Sequence, residues 1–124
     1  MRSRIHHLGF VSEAEKATLL CNCAALVYPS LYEGFGLPIL EGMAAGAPVI
    51  TSNVSSMPEI AGRAALLVDP VDVDAIATAI RVLLGNHKQA QIFTGYGKET
   101  ASQFSWINTA ISTYKSYRAL ISRE

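Results

Sequence analysis

Three short apolar runs divide the middle of this chain: AALVYPS at 24–30, APVITS at 47–52 and AALLVDP at 64–70. Each is too short for a helix and ends at a turn-forming residue, and none alternates apolar with polar side chains. A strand that is apolar on both sides must be covered on both sides, as inside a parallel sheet. Segments of helical character lie between the runs. The chain is therefore expected to wind strand, helix, strand, helix, strand, helix into one α/β sheet layered between helices.

The connecting segments carry their own punctuation. Ser12 followed by Glu15 predicts a capping box and a helix to about Asn22. Pro38 suits the first turn of a helix that runs to Ala45 and stops at Gly46. Ser56 with Glu59 predicts a second capping box, opening a short helix that Gly62 closes. Val73, Ile76, Ala77, Ile80, Leu83 and Leu84 stripe one helix that ends at Gly85-Asn86. Two more helices are expected at 87–103 and 106–121, the second capped by Ser105. RIHHLGF at 4–10 reads as a further short strand. The last helix carries Trp106, Tyr114 and Tyr117 and needs a surface to cover, either its own domain or something outside this chain.

Composition limits the classes of function. Among 124 residues, 50% are hydrophobic and 16% charged, as in one folded domain with a core of its own. Ten Lys or Arg balance ten Asp or Glu, so no basic excess points to nucleic acid. No apolar run approaches the ~20 residues of a membrane span. The N-terminus lacks the apolar core of a secretory signal. Cys21 and Cys23 are too close in sequence to bridge readily and lack the further ligands of a zinc site. The expected compartment is the reducing cytoplasm. His6, His7 and His87 have no partners at metal-like spacing, and no nucleophile–His–acid set stands out. Ser30, Ser52, Ser55 and Ser56 read as turn or cap residues.

One carboxylate needs explaining. From Gly34 to Pro58 the only charge is Glu41, in a segment that otherwise reads as buried core. A half-buried carboxylate needs hydrogen-bond donors, and the vicinal hydroxyls of a sugar or ribose would supply two. Just before it, Gly34 and Gly36 bracket Phe35 at the start of the helix near Pro38. Unpaired amides and the helix dipole attract anions there, and the C-terminal end of a strand is where open α/β sheets place ligands. The plainer alternatives stand beside this reading. A Gly-x-Gly can be only a turn, a Glu early in a helix can be complementing the dipole, and GMAAG (42–46) can serve helix packing alone.

Taken together, YPSLYEGFGLPILEGMAAGAPVITSNVSSMPEIAG resembles the signature region of the retaining glycosyltransferases of GT-B architecture, the "group 1" or family 4 type. In that family two glutamates stand with seven residues between them, and Glu33 and Glu41 match around GFGLPIL. The resemblance continues through GAPVI, PEIAG, LLVDP and the FSW at 104–106, and covers nearly all of residues 8–121. It implies an α/β fold: a Rossmann-like three-layer parallel sheet flanked by helices, the C-terminal half of a GT-B fold, N-terminally incomplete. It implies that Glu41 holds the ribose hydroxyls of a nucleotide. Glu33, the catalytic candidate, would contact the hydroxyls of the transferred sugar. The backbone amides of Gly34, Phe35, Gly36 and Leu37 would face the donor sugar and diphosphate. The reaction implied is transfer of a glycosyl unit from a nucleotide-diphosphate sugar with retention at the anomeric carbon. Protein cations and helix dipoles usually stabilise the leaving diphosphate in this family, so neither metal nor other cofactor is expected.

The chain departs from the family pattern at its start. The family's donor half opens with further strands and a loop whose Arg and Lys grip the diphosphate; Arg2 and Arg4 stand in no matching motif. The half that binds the acceptor has no counterpart. The expectation is a fragment, with residues 1–105 a partial nucleotide-sugar-binding domain. Residues 106–124 would be the helix that in the family crosses to the N-terminal half. Its partners would be a nucleotide sugar and, through the missing half, a carbohydrate or lipid-linked acceptor. Transfer by the isolated chain would be weak or absent, and the full-length enzyme would be cytoplasmic or peripheral to the inner membrane. Two other readings fit. One is a non-catalytic assembly module that self-associates through an open sheet edge or the last helix. The other is a nucleotide-sugar epimerase of similar architecture, which the spaced glutamates disfavour.

Overall fold

All three apolar runs become strands. In the computed structural model, which describes residues 4–121, the elements follow in order. They are α1 (Glu13–Asn22), β1 (Leu26–Tyr28), α2 (Leu37–Ala45), β2 (Val49–Ser52), α3 (Met57–Ala61), β3 (Ala65–Val68), α4 (Val73–Gly85), α5 (His87–Ser102) and α6 (Trp106–Ile121). Arg2 and the last three residues of the 106–124 segment lie outside the described residues. The strands pair in parallel in the order β1-β2-β3, with Leu26 opposite Val49 and Ser52 opposite Val68.

The central strand explains why its sequence does not alternate: every residue of β2 is buried. On one face Ile39 and Met43 of α2 and Met57, Ile60 and Ala61 of α3 close over Val49 and Ala65. On the other face Ala79 and Leu83 of α4 pack on Ile50 and Val68. Helix α5 serves both layers, with Tyr96 against the first cluster and Phe93 against the second. Gly42 lets α2 lie close on the sheet, since a Cβ there would stand 2.6 Å from Leu26 Cδ2.

The helix punctuation holds in most places. Ser12 and Glu15 form the reciprocal capping box of α1. Helix α2 opens after Gly36 (φ 102°) and closes at Gly46 (φ 85°), both left-handed positions that suit glycine. The Ser105 hydroxyl accepts from the Asn108 amide at 3.1 Å, capping α6.

Two expectations change, and one open alternative is decided. Residues 4–10 form no strand; all are exposed, and Gly9 turns the run with φ 66°. A strand needs a ladder partner for its amides and carbonyls, and β1 pairs with β2 alone. The second capping box does not form either. Ser56 is already helical (φ −78°, ψ −14°) rather than extended, and its hydroxyl donates to the carbonyls of Glu33 and Phe35. Finally, α6 does not cover its own domain. None of its residues is buried, and Trp106 is 81% exposed.

Candidate functional site

The loops that leave β1 and β2 meet at the C-terminal edge of the sheet, and hydroxyls join them. Thr51 and Ser52, fully buried at the end of β2, donate to the Tyr28 carbonyl at 2.9 Å and the Ser30 carbonyl at 2.6 Å. Beyond them Ser55 takes both backbone groups of Glu33, donating to its carbonyl at 2.8 Å and accepting from its amide at 3.3 Å. The Ser56 hydroxyl lies 3.0 Å from each of the Glu33 and Phe35 carbonyls. Ser55 holds φ 57°, the one left-handed non-glycine among the described residues. Such a conformation costs on the order of 1 kcal/mol, and the hydrogen bonds to Glu33 offset it. These serines, read from sequence as turn or cap residues, clamp the glycine turn.

Within the clamp the Glu33 side chain is held as firmly as its backbone. The Tyr28 hydroxyl donates to Oε1 in a short hydrogen bond, and Ser30 Oγ donates to the same oxygen at 3.0 Å. The hydrogen bond to Glu33, with burial adding to it, raises the Tyr28 phenol above its ordinary range. One carboxylate oxygen is thus occupied from within the chain.

The turn that follows is open except at Gly36, which is buried. Gly34, Phe35 and Leu37 are exposed, and the amides of Gly34, Phe35, Gly36 and Leu37 donate no hydrogen bond among the described residues. They stand at the positive end of the nine-residue α2. The Phe35 ring meets Phe104 edge-on, with centroids 5.9 Å apart, which ties the turn to the junction between α5 and α6.

Glu41 lies past the first turn of α2, half-buried as expected, but its immediate donor is a lysine. Lys16 Nζ on α1 donates to Oε1 at 3.0 Å and pairs with Glu13 Oε2 at 2.8 Å. The hydrogen bond to Glu13 first, then that to Glu41, hold the Lys16 ammonium above its usual range. Lys16 was missed from sequence, although a signal existed. It is the only lysine before Lys88, and Glu41 is the only charge between Gly34 and Pro58. Glu33 and the amides of 34–37 are thus brought together at the sheet edge, whereas the Glu41 carboxylate faces α1 and takes its hydrogen bond from a different residue.

Known proteins resemble this chain in sequence and in fold. The family model described as "Glycosyl transferases group 1" matches residues 1–100. The chain is 46% identical over 116 residues to O-antigen chain mannosyltransferase B of Escherichia coli, covering 94% of this chain and 30% of that protein. It is 35% identical over 123 residues to MMP alpha-(1->4)-mannosyltransferase of Mycolicibacterium hassiacum, covering 96% and 30%. Among solved structures, sucrose-phosphate synthase from Thermosynechococcus elongatus aligns with a TM-score of 0.86 at 31% identity, over 98% of this chain and 31% of that one. The chain spans about 30% of the length of these curated relatives.

Proposed function

This chain belongs to the group 1 glycosyltransferases, and from that membership we propose that it forms the donor-binding part of an enzyme that transfers a sugar from a nucleotide-diphosphate sugar, retaining the anomeric configuration. Its fold is the Rossmann-like parallel sheet of the GT-B architecture. The observation that carries the proposal is the segment from Glu33 to Glu41. Four successive amides without internal acceptors open a helix, and a carboxylate stands at each end of the segment. Amides at a helix N-terminus favour phosphate oxygens. An ionised carboxylate only accepts, and so recognises hydroxyls.

In this reading Glu41 takes the ribose hydroxyls. Glu33, with Oε1 held by Tyr28 and Ser30, offers Oε2 to a hydroxyl of the transferred sugar. As the bond between the anomeric carbon and the diphosphate oxygen breaks, negative charge grows on that oxygen. The α2 amides stabilise it without reorganising, and the reading calls for no metal or other cofactor. Relatives named as mannosyltransferases favour a mannosyl donor. The acceptor, a carbohydrate or lipid-linked sugar, would be held by the rest of the enzyme. The exposed apolar face of α6 supports docking of that helix on the same partner half.

Calorimetry with UDP, GDP and ADP tests the proposal. One nucleotide should bind, and Glu41→Ala should weaken it by roughly tenfold or more, the loss expected for hydrogen bonds to a charged group. Binding that survives Glu41→Ala intact overturns the ribose assignment. In the full-length enzyme Glu33→Ala should lower kcat, and unaltered turnover removes Glu33 from the site.

A further inference from the structure

We propose that Lys16 is a positioning residue of the nucleotide site, holding the Glu41 carboxylate in the orientation that receives the ribose hydroxyls. The proposal rests on the ribose reading of Glu41 and adds to it a residue from a different helix. Its observation is the contact between α1 and α2. Lys16 Nζ lies 3.0 Å from Glu41 Oε1 across 25 residues of sequence, and Glu13 Oε2 braces it from behind at 2.8 Å.

The local structure explains why the lysine points there. The capping box at Ser12 and Glu15 fixes the first turn of α1, and Lys16 follows directly in it. Its amide closes on the Ser12 carbonyl at 2.9 Å, so its Cα is set by the same turn. The Lys16 and Glu41 side chains keep 34% and 40% of their surface exposed. A pair this open contributes little to folding. It is better suited to orienting a side chain than to holding the domain together.

The chemistry leaves room for the ligand. An ionised carboxylate has about four lone-pair positions, and Lys16 takes one of them. The positions that remain can accept from two neighbouring hydroxyls. Without the lysine, Glu41 would have to give up side-chain rotamer freedom at the moment of binding. With it, that ordering precedes the ligand, which raises affinity for the diol alone.

The test compares the ribonucleoside diphosphate that the full-length enzyme binds best with its 2′,3′-dideoxy counterpart. Wild-type enzyme should prefer the ribonucleotide by roughly tenfold or more, as hydrogen bonds to a charged acceptor would give. Lys16→Met should shrink that ratio severalfold while leaving dideoxynucleotide affinity unchanged. Lys16→Arg should restore most of the ratio, and Lys16→Met should add nothing in a Glu41→Gln background. A wild-type preference that survives Lys16→Met, or equal losses for both nucleotides, overturns the role of Lys16 alone. A wild-type enzyme with no preference overturns the ribose reading of Glu41 and this proposal with it.

Discussion

Gly34 is a glycine where the chain itself does not require one. Its φ lies outside the left-handed region, and nothing stands within 4 Å of where a Cβ would be. Gly36, two residues on, is different: φ is 102° and Ile39 Cδ1 would lie 3.1 Å from a Cβ. Gly34→Ala should therefore leave stability equal or raise it by about 0.4–1 kcal/mol, as urea unfolding would measure. If a diphosphate approaches this turn, the added methyl should weaken nucleotide binding by calorimetry, and unchanged affinity would put the ligand elsewhere. Tyr28 gives a second readout. Its phenol is raised by the hydrogen bond to Glu33, so the folded state favours the neutral form. That contribution to stability is complete below the unfolded value near 10 and is lost as pH rises through the higher folded value. Ring-carbon NMR across an alkaline titration should show Glu33→Gln lowering the Tyr28 midpoint toward the ordinary range. An unmoved midpoint would break the pairing. Glu41 was visible in the sequence as a lone charge among small and apolar neighbours, and Glu33 through its place in the signature that the segment resembles. Their more distant supports were not, because Lys16 is 25 residues from Glu41 and Ser55 is 22 from Glu33, distances that no local pattern encodes.

Elements were more legible than contacts, and the failures share one cause. Strands β1, β2 and β3 fall inside the three apolar runs because burial on both faces leaves a compositional mark. The run at 4–10 carries a similar local pattern without the partner strand that would realise it. Ser56 and Glu59 have the spacing of a capping box, yet the loop carbonyls across the sheet edge take the serine hydroxyl first. In both cases tertiary surroundings overruled a local preference. The segment GMAAG shows the opposite, a local pattern whose packing reading holds. Gly42 lets α2 rest on Leu26, so Gly42→Ala should force a shift of helix or side chain and cost about 1–3 kcal/mol in urea unfolding. An unchanged midpoint would mean that α2 can lift from the sheet without loss. Because α2 carries both the open amides and Glu41, the same substitution should also blunt nucleotide binding.

Across the whole molecule, apolar surface is divided unequally. The core is complete without α6: the buried clusters draw on α2, α3, α4, β1, β2, β3 and α5, and no residue of α6 joins them. Yet Trp106, Tyr114 and Tyr117 present large rings along α6, 81%, 61% and 63% exposed. Such a stripe on a solvated helix marks an interaction face. A 16-residue helix with nothing to pack on is marginal by itself, so α6 should exchange its amides quickly in the isolated chain while α2 stays protected. Ending the chain after Ser105 keeps Phe104 against Phe35 and removes only the uncovered helix. That truncation should change the unfolding free energy by no more than about 0.5 kcal/mol, as surface changes do, and should lower any concentration-dependent association seen by light scattering. Ending it before α5 should unfold the domain instead, because Phe93 and Tyr96 would be lost from the two clusters and Gly97 from beside Met43. If loss of α6 alone costs more than about 1 kcal/mol, the helix must be covering part of this domain, and its apolar face would no longer be free for a partner.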